Sequence, residues 1–114
     1  MGKYILFLLN PGFFDGEDGP FFCPHNAAME GLLKYEPELE TKLDVRRVDF
    51  KRPRPDIIKL LGEENQNAPV LVIDEIQDTS VEVQVSTETG RAFIVGETKI
   101  SNFLHKNLGT LKPH

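Results

Sequence analysis

The apolar positions along the chain change their spacing several times, and these changes predict strands and helices in alternation. Residues 4–9 are continuously apolar and are followed by the turn sequence Asn10-Pro11-Gly12. This pattern predicts a strand that is buried on both faces. Residues 10–20 are rich in glycine, proline and acidic side chains, so we expect a loop there.

A helix is expected after this loop, over residues 27–34. Pro24 suits the first turn of a helix, where its missing N–H is not needed, and Pro37 ends or kinks the helix. Apolar side chains recur at every third or fourth position, so one side of the helix should be buried. That apolar side comprises Ala28, Met29, Leu32, Leu33 and Tyr35.

The middle of the chain predicts a second strand over residues 43–50, followed by a short helix that Gly62 ends. Within the strand the apolar positions change phase at Arg46-Arg47, and a β-bulge or an edge twist would absorb the change. Residues 70–73 predict a third strand, which is again buried on both faces.

The last part of the chain predicts a strand over residues 92–95 and an amphipathic helix over residues 100–108. Between the third strand and this one, Val81, Val83 and Val85 alternate with polar residues and predict an additional hairpin arm.

This order of elements predicts an α/β fold. The first β-α-β unit requires a crossover, so its two strands should be parallel, whereas the short link after the third strand favours antiparallel pairing. We therefore expect a mixed four- to five-stranded sheet that is flanked by helices on both faces.

Composition narrows the class of protein. The chain has 114 residues, of which 39% are hydrophobic and 27% charged, and this is ordinary for one globular domain over residues 1–114. The formal net charge of −5 gives no general attraction to nucleic acid or to an anionic membrane. No stretch is long enough to span a membrane, and residues 4–9 are too short for the core of a signal peptide.

Cys23 is the only cysteine, and its position favours a reactive thiol. A single cysteine excludes a disulfide within the chain and fits a reducing compartment, so we expect a cytoplasmic protein. Because Cys23 comes just before the expected helix, unpaired N–H groups and the positive end of the helix dipole should lie beside its sulfur. Both favour the thiolate, which is the attacking form. The alternative is a structural cysteine that Phe21 and Phe22 cover.

Three motifs resemble those of the thioredoxin-like superfamily, most closely the glutaredoxins and the N-terminal domain of glutathione transferases. The first is Cys23-Pro24-His25-Asn26, which follows the first strand. The second is Asn-Ala-Pro-Val-Leu-Val at residues 67–72, and the third is Phe-Ile-Val-Gly-Glu-Thr-Lys-Ile at residues 93–100. The resemblance spans residues 3–108 and implies a thioredoxin-like fold. It extends to a group of small uncharacterised bacterial proteins with this fold.

The resemblance also implies roles for individual residues. Cys23 would be the catalytic nucleophile, and glutathione would be a co-substrate. Pro69 would follow a cis peptide bond and put the backbone of Ala68 beside Cys23, ready to pair with a peptide-like thiol. Glu97 and Thr98 would hold the γ-glutamyl end of glutathione.

Pro24, His25 and Asn26 would line the substrate site, and two of them have a second interpretation. Asn26 stands where the family commonly has a second cysteine, so redox chemistry would use one thiol and an outside reductant. Its amide could bond to the sulfur or be an ordinary first-turn polar group. His25 could carry a proton or be a surface residue. Because Cys23 and His25 lack two further ligands, we expect no metal site.

Other polar residues have two interpretations as well. Glu97 and Thr98 could bind a ligand or could cap the last helix. Five of the thirteen basic residues fall close together. They could bind the glycine carboxylate of glutathione, or they could form a solvated strand edge that charge protects from pairing. The cluster consists of Arg46, Arg47, Lys51, Arg52 and Arg54.

Two functional hypotheses follow. In the first, the protein is a monothiol glutaredoxin-like thiol-disulfide oxidoreductase that acts on glutathione mixed disulfides through Cys23, with glutathione or a thiol/disulfide protein as its partner. In the second, it is a non-catalytic thioredoxin-fold module that binds a peptide, a partner or its own copy, since fold does not guarantee chemistry. The second would use an apolar surface of Phe13, Phe14, Phe21 and Phe22. A stand-alone glutathione-transferase-like domain ranks third, and the oligomeric state stays open, with a homodimer as one option.

Overall fold

The chain folds around a mixed five-stranded sheet that has helices on both faces. A computed structural model describes residues 4–73 and 82–114. In chain order its elements are β1 (Tyr4–Leu9), β2 (Phe13–Asp15), β3 (Asp18–Phe21), α1 (Pro24–Tyr35), α2 (Leu39–Lys42), β4 (Leu43–Val48), α3 (Pro55–Leu61), β5 (Val70–Ile73), β6 (Gln84–Val85), β7 (Ala92–Val95) and α4 (Glu97–Leu108).

The strand order in the sheet is β4-β1-β5-β7-β6. Strands β1 and β4 run parallel, and every other neighbouring pair in this sheet is antiparallel. The parallel pairing expected for the first crossover and the antiparallel pairing expected after the third strand are therefore both confirmed. Strand β1 lies between β4 and β5, which explains why its side chains are buried on both faces.

Of the two features expected to absorb the phase change at Arg46-Arg47, a β-bulge or an edge twist, the β-bulge is absent. Strand β4 pairs with β1 in one continuous register, from Tyr4 opposite Leu43 to Leu9 opposite Val48. The phase change arises because this edge strand contributes to both faces, with Val45 packed on one core cluster and Val48 on the other. Phe50 lies beyond the end of the strand, so the predicted range of residues 43–50 was too long.

Two hydrophobic clusters form the core, one on each face of the sheet. Helices α1 and α4 cover the first face, where Met29 and Phe103 are fully buried. Helix α3 covers the second face, where Ile57 and Leu61 are fully buried beside Phe7 of β1. Helices on both faces were expected from the alternating pattern of strands and helices, and this expectation is confirmed.

The buried side of helix α1 differs from the predicted one. Its buried residues are Asn26, Met29 and Leu33, whereas Ala28 is exposed and Tyr35 has 76% of its surface exposed. The prediction is confirmed at Met29 and Leu33, and Leu32 packs partly against the same core cluster. Asn26 is buried on this side as well, and a pattern that counts only apolar residues could not include it.

Residues 10–20 were expected to form a loop, and most of them instead form a hairpin. Strands β2 and β3 pair antiparallel as a separate two-stranded sheet. The ring of Phe13 stacks on the ring of Phe50, with centroids 4.2 Å apart and planes 9° apart. This stack holds the hairpin against the segment between β4 and α3. The hairpin ends at Phe21, just before Cys23.

The additional hairpin arm is confirmed where the structure describes it. Strand β6 pairs antiparallel with β7, and Ser86 and Thr89 in the connecting turn donate hydrogen bonds to the carbonyl oxygens of Leu61 and Leu60. Residues 74–81, which include Val81, lie outside the described residues. Within residues 4–73 and 82–114, no helix has the length and apolar character needed to cross a membrane.

Candidate functional site

Cys23 occupies the N-cap position of helix α1, as its sequence context predicted. Its backbone is extended (φ −88°, ψ 119°), its carbonyl accepts the first helical hydrogen bond from Ala27 at 2.9 Å, and Pro24 begins the helix. The thiol is partly buried against the core cluster that contains Phe7 and Ile57. Among the described residues the thiol has no hydrogen-bond partner, so the helix N-terminus lacks the side-chain hydrogen bond that a polar N-cap residue commonly provides.

Asn26, on the next turn, connects three elements. Its side chain is 2% exposed. Its amide oxygen accepts a hydrogen bond from the backbone N–H of Leu9 at 3.0 Å, and its amide nitrogen donates one to the carbonyl oxygen of Ala68 at 3.2 Å. Both polar ends of the amide are therefore used within the protein. The first interpretation of Asn26, a hydrogen bond from its amide to the Cys23 sulfur, is therefore not realised.

The segment before β5 lies beside this helix start. The Asn26 bond holds the Ala68 carbonyl there, and the carbonyl oxygen of Pro69 accepts a hydrogen bond from the Gly96 N–H at 3.2 Å. The Ala68-Pro69 peptide bond is cis, as the resemblance implied. Because Gly96 directly precedes α4, these bonds bring the starts of α1, β5 and α4 to one edge of the sheet.

His25 and Glu97 join the two helix starts directly. The imidazole Nδ1 of His25 lies 2.7 Å from the Oε2 atom of Glu97. The hydrogen bond with His25 lowers the pKa of the Glu97 carboxyl, against a smaller opposing effect of burial. Thr98 is exposed in the same turn of α4. The eight residues implied as a site are thus brought together, and Glu97 is already bonded within the protein.

The pairing of His25 with Glu97 can be tested by titration. Replacing His25 with alanine is expected to raise the pKa of Glu97 toward its ordinary value, because the main group that stabilises the carboxylate is gone. A lowered folded-state pKa adds stability at pH values above the unfolded-state pKa, and that stability is lost as the pH falls through the folded value. Carbon-13 NMR of the side-chain carboxyl measures the pKa, and Thr98→Ala is the control that should leave it unchanged. An equal pKa in wild type and His25→Ala would contradict the pairing.

Arg54 is a site residue whose environment the sequence did not indicate. Its side chain is only 6% exposed, and its guanidinium donates hydrogen bonds to the carbonyl oxygens of Phe50 (3.0 Å) and Gln66 (2.7 Å). Burial lowers the pKa of Arg54, Arg52 lowers it further, and the charge of the Cys23 thiolate raises it. This interaction indicates that the Arg54 guanidinium lies near the Cys23 thiol.

The basic cluster divides into two groups. In β4, the Nη2 atom of Arg46 lies 2.7 Å from Oδ2 of Asp44. The Nη2 atom of Arg47 lies 2.7 Å from Oε1 of Glu30 in α1. These two are paired surface residues of an edge strand, in agreement with the second interpretation of the cluster. Lys51, Arg52 and Arg54 follow the strand and form no ion pair with any described residue. The partner of Arg47 comes from α1, a contact that a sequence pattern does not show, whereas the partner of Arg46 is in the same strand.

The aromatic residues around Cys23 are largely exposed. Phe22 has 63% of its surface exposed and Phe14 has 57%, whereas Phe13 is held in its stack with Phe50. Phe21 also has 40% of its surface exposed. Within the part of the chain that the structure describes, no three His, Cys, Asp or Glu residues are grouped so that they could hold a metal ion.

Comparisons with known proteins complete the description of the site. A family model described as "Protein of unknown function (DUF3088)" matches residues 3–112. The search of curated proteins and the search of solved structures found no match. The matched range contains the whole five-stranded sheet, Cys23 and the three unpaired cations.

Proposed function

The chain belongs to the DUF3088 family, whose description names no activity, and we propose from the geometry at Cys23 that it is a monothiol glutaredoxin-like thiol-disulfide oxidoreductase. Its substrates would be glutathione mixed disulfides of proteins or small thiols. Glutathione would be the reducing co-substrate, and no metal would take part. A reducing compartment such as the cytoplasm would keep Cys23 as a free thiol.

The proposal includes a thioredoxin-like fold, and the sheet supports it. A parallel β1–β4 pair built by a helical crossover continues into antiparallel β5 and β7, with helices on both faces. This arrangement puts the start of the first long helix and the start of β5 at one edge. In such a fold a residue at the N-cap of α1 is exposed to a ligand that lies along the segment before β5.

The observation that carries the proposal is the environment of the Cys23 sulfur. The thiol is at the N-terminus of a 12-residue helix, is partly exposed, has no hydrogen bond within the described residues, and lies within electrostatic reach of the buried Arg54 guanidinium. Helix N-termini and nearby cations both stabilise a thiolate. A structural cysteine needs neither feature.

The reaction would consist of two thiol–disulfide exchanges. The Cys23 thiolate attacks the glutathione sulfur of the mixed disulfide, the old S–S bond breaks, and the target leaves as a thiolate that takes up a proton. A second glutathione, as its thiolate, then attacks the glutathione sulfur bound to Cys23. Glutathione disulfide leaves and the Cys23 thiolate returns, so the net reaction converts one mixed disulfide and one glutathione into one free target thiol and one glutathione disulfide.

Glutathione binding would have to change the His25–Glu97 pair. The backbone of Ala68 beside Pro69 would pair with the cysteinyl part of glutathione, next to exposed Pro24. The γ-glutamyl ammonium would bind Glu97 and its carboxylate would bind Thr98. Because Glu97 accepts from His25 at 2.7 Å, the ammonium would replace or share that bond, so we infer that His25 tunes glutathione affinity and takes no part in the exchange.

The proposal predicts a reactive thiol. The folded protein should react with iodoacetamide at neutral pH about threefold to tenfold faster than free cysteine, because a larger share of the thiol is ionised. Mass spectrometry of quenched samples gives the rate, and the same chain unfolded in urea is the control, which should react like free cysteine. A folded-state rate no faster than that of free cysteine would refute the proposal.

A second candidate function is supported by the exposed aromatic side chains. Phe14 and Phe21 of the hairpin and Phe22 after it present exposed apolar surface, as a non-catalytic binding module would. A titration with glutathione separates the candidates, because the oxidoreductase must bind it and the binding module need not. We rank the module second for one reason. A helix N-terminus without a side-chain hydrogen bond and a nearby buried cation are features of a reactive thiol, and neither would strengthen binding to an apolar surface.

A further inference from the structure

The segment between β4 and α3 holds three positive charges between two cavities. Lys51, Arg52 and Arg54 line both of them, and together they form what we call the cation loop. The larger cavity, about 640 Å³, lies between this loop and residues 14–16 of the hairpin. Cavities of this size hold small molecules in many proteins.

The cations of the cation loop form no ion pair within the described part of the chain, although Asp49 and Asp56 line the smaller cavity with them. Arg52 donates one hydrogen bond to the neutral amide oxygen of Asn67 at 3.1 Å. Lys51 is exposed and has no partner there. Asp15 is the acidic residue that lines the larger cavity, against three cations. The positive charge is therefore local, in a chain whose formal net charge is −5.

The buried charge of Arg54 costs free energy of folding. Its guanidinium is buried, and its partners are the neutral carbonyls of Phe50 and Gln66 rather than a carboxylate. Repulsion from Arg52 is one of the causes that lower the pKa of Arg54. Like charges held together at a cavity, one of them desolvated, are typical of a site that is completed by a counter-ion from outside.

We propose that the cleft between the hairpin and the cation loop binds a small anion with at least two negative charges, such as a phosphate ester or a polycarboxylate. Arg52 and Lys51 would contact the anion directly, and Arg54 would supply a fixed charge at the floor of the cleft. Arginine binds both carboxylate and phosphate through paired N–H donors. Phe14, which also lines the cleft, would contact the apolar part of such a ligand.

The cleft lies next to the thiol but does not include it. Cys23 lines neither cavity, although Phe50 both lines the larger cavity and packs in the core cluster that Cys23 contacts. The anion would thus be bound beside the thiol, where it can select substrates or regulate access, without itself reacting. Its binding does not require Cys23.

The test is calorimetric titration of the Cys23→Ser protein with inorganic pyrophosphate and, separately, with citrate. At low salt we expect at least one of them to bind with a Kd of about 0.1–1 mM, weakening as salt is added. The double variant Lys51→Gln/Arg52→Gln should weaken that binding about tenfold or more. The matched control Lys34→Gln/Lys112→Gln removes the same charge at exposed positions elsewhere and should change the Kd by less than about twofold.

The outcomes are distinct. Tighter binding of pyrophosphate identifies a phosphate ester as the natural class, and tighter binding of citrate identifies a polycarboxylate. The proposal is wrong if neither anion binds, if the control double variant loses as much affinity as the loop variant, or if backbone amide shifts on binding lie outside residues 14–16 and 50–54. Because the titrated protein has no thiol, a failure of the redox proposal would leave this result unchanged.

Discussion

Replacing Cys23 with serine is expected to abolish glutathione-dependent turnover of a small mixed disulfide, lowering the rate at least about a hundredfold. A serine hydroxyl is not ionised at neutral pH and is a poor nucleophile toward sulfur. Since the chain has one cysteine, no second thiol can replace it. Turnover is measured by coupling the release of glutathione disulfide to its enzymatic reduction, and the wild-type rate must depend on glutathione concentration.

The fold should tolerate this change, which makes the result interpretable. The Cys23 thiol forms no hydrogen bond within the described residues and is only partly buried, and serine is a favoured N-cap residue. The urea midpoint of Cys23→Ser should therefore equal or exceed that of the wild type. Turnover that survives in this variant would exclude Cys23 as the nucleophile, and a wild-type protein without turnover would favour the binding module.

Much of the fold could be predicted because it depends on local patterns. The runs at residues 4–9 and 70–73 are too apolar for an edge strand, and both strands lie inside the sheet. Gly62 and Gly109 adopt positive φ angles of 85° and 72° at the ends of α3 and α4, as a glycine after a helix suggests. These signals reflect steric limits of the backbone that do not depend on distant residues.

The errors arose where distant contacts decide the structure. The hairpin β2–β3 has a glycine-rich sequence and exposed residues, and its position depends on the stack of Phe13 on Phe50. The expected bulge failed because Val45 and Val48 serve different core clusters. Neither partner is adjacent in sequence, so the local pattern had no information about them.

The contrast between local patterns and distant contacts also explains which parts of the candidate site could be predicted. Cys23 at the helix N-cap could be predicted, because Pro24 and the following apolar spacing indicate where α1 begins. The burial of Arg54 could not, because arginine is rarely buried and its partners are backbone carbonyls. The one local constraint is Pro55, since a proline disfavours the helical conformation at the residue before it.

Replacing Asn26 with alanine is expected to lower the free energy of unfolding by about 2–4 kcal/mol. The substitution leaves the buried N–H of Leu9 and the carbonyl of Ala68 without their side-chain partners, and each buried group that loses its partner costs about 1–3 kcal/mol. Total stabilities of small domains are about 5–15 kcal/mol, so this is a large fraction. Urea unfolding followed by circular dichroism measures the loss as a lower midpoint with an unchanged slope.

The matched control is Asn102→Ala, which makes the same substitution inside helix α4. The Asn102 side chain has no hydrogen bond within the described residues. Alanine is the better helix former, so the free energy of unfolding should change by less than about 0.7 kcal/mol, or rise. Equal losses in the two variants would show that the Asn26 bonds do not hold β1, α1 and the segment before β5 together.

Asn26→Asp separates the two hydrogen bonds by pH. The introduced carboxylate can still accept from the Leu9 N–H, but it cannot donate to the Ala68 carbonyl, and burial together with that carbonyl should raise its pKa above the unfolded-state value. A raised carboxyl pKa destabilises the fold at neutral pH, and the penalty disappears as the pH falls through the folded value. The deficit against wild type should therefore shrink on acidification for Asn26→Asp and stay constant for Asn26→Ala. A constant deficit in both would mean that the Ala68 bond contributes little and that Asn26 acts through Leu9 alone.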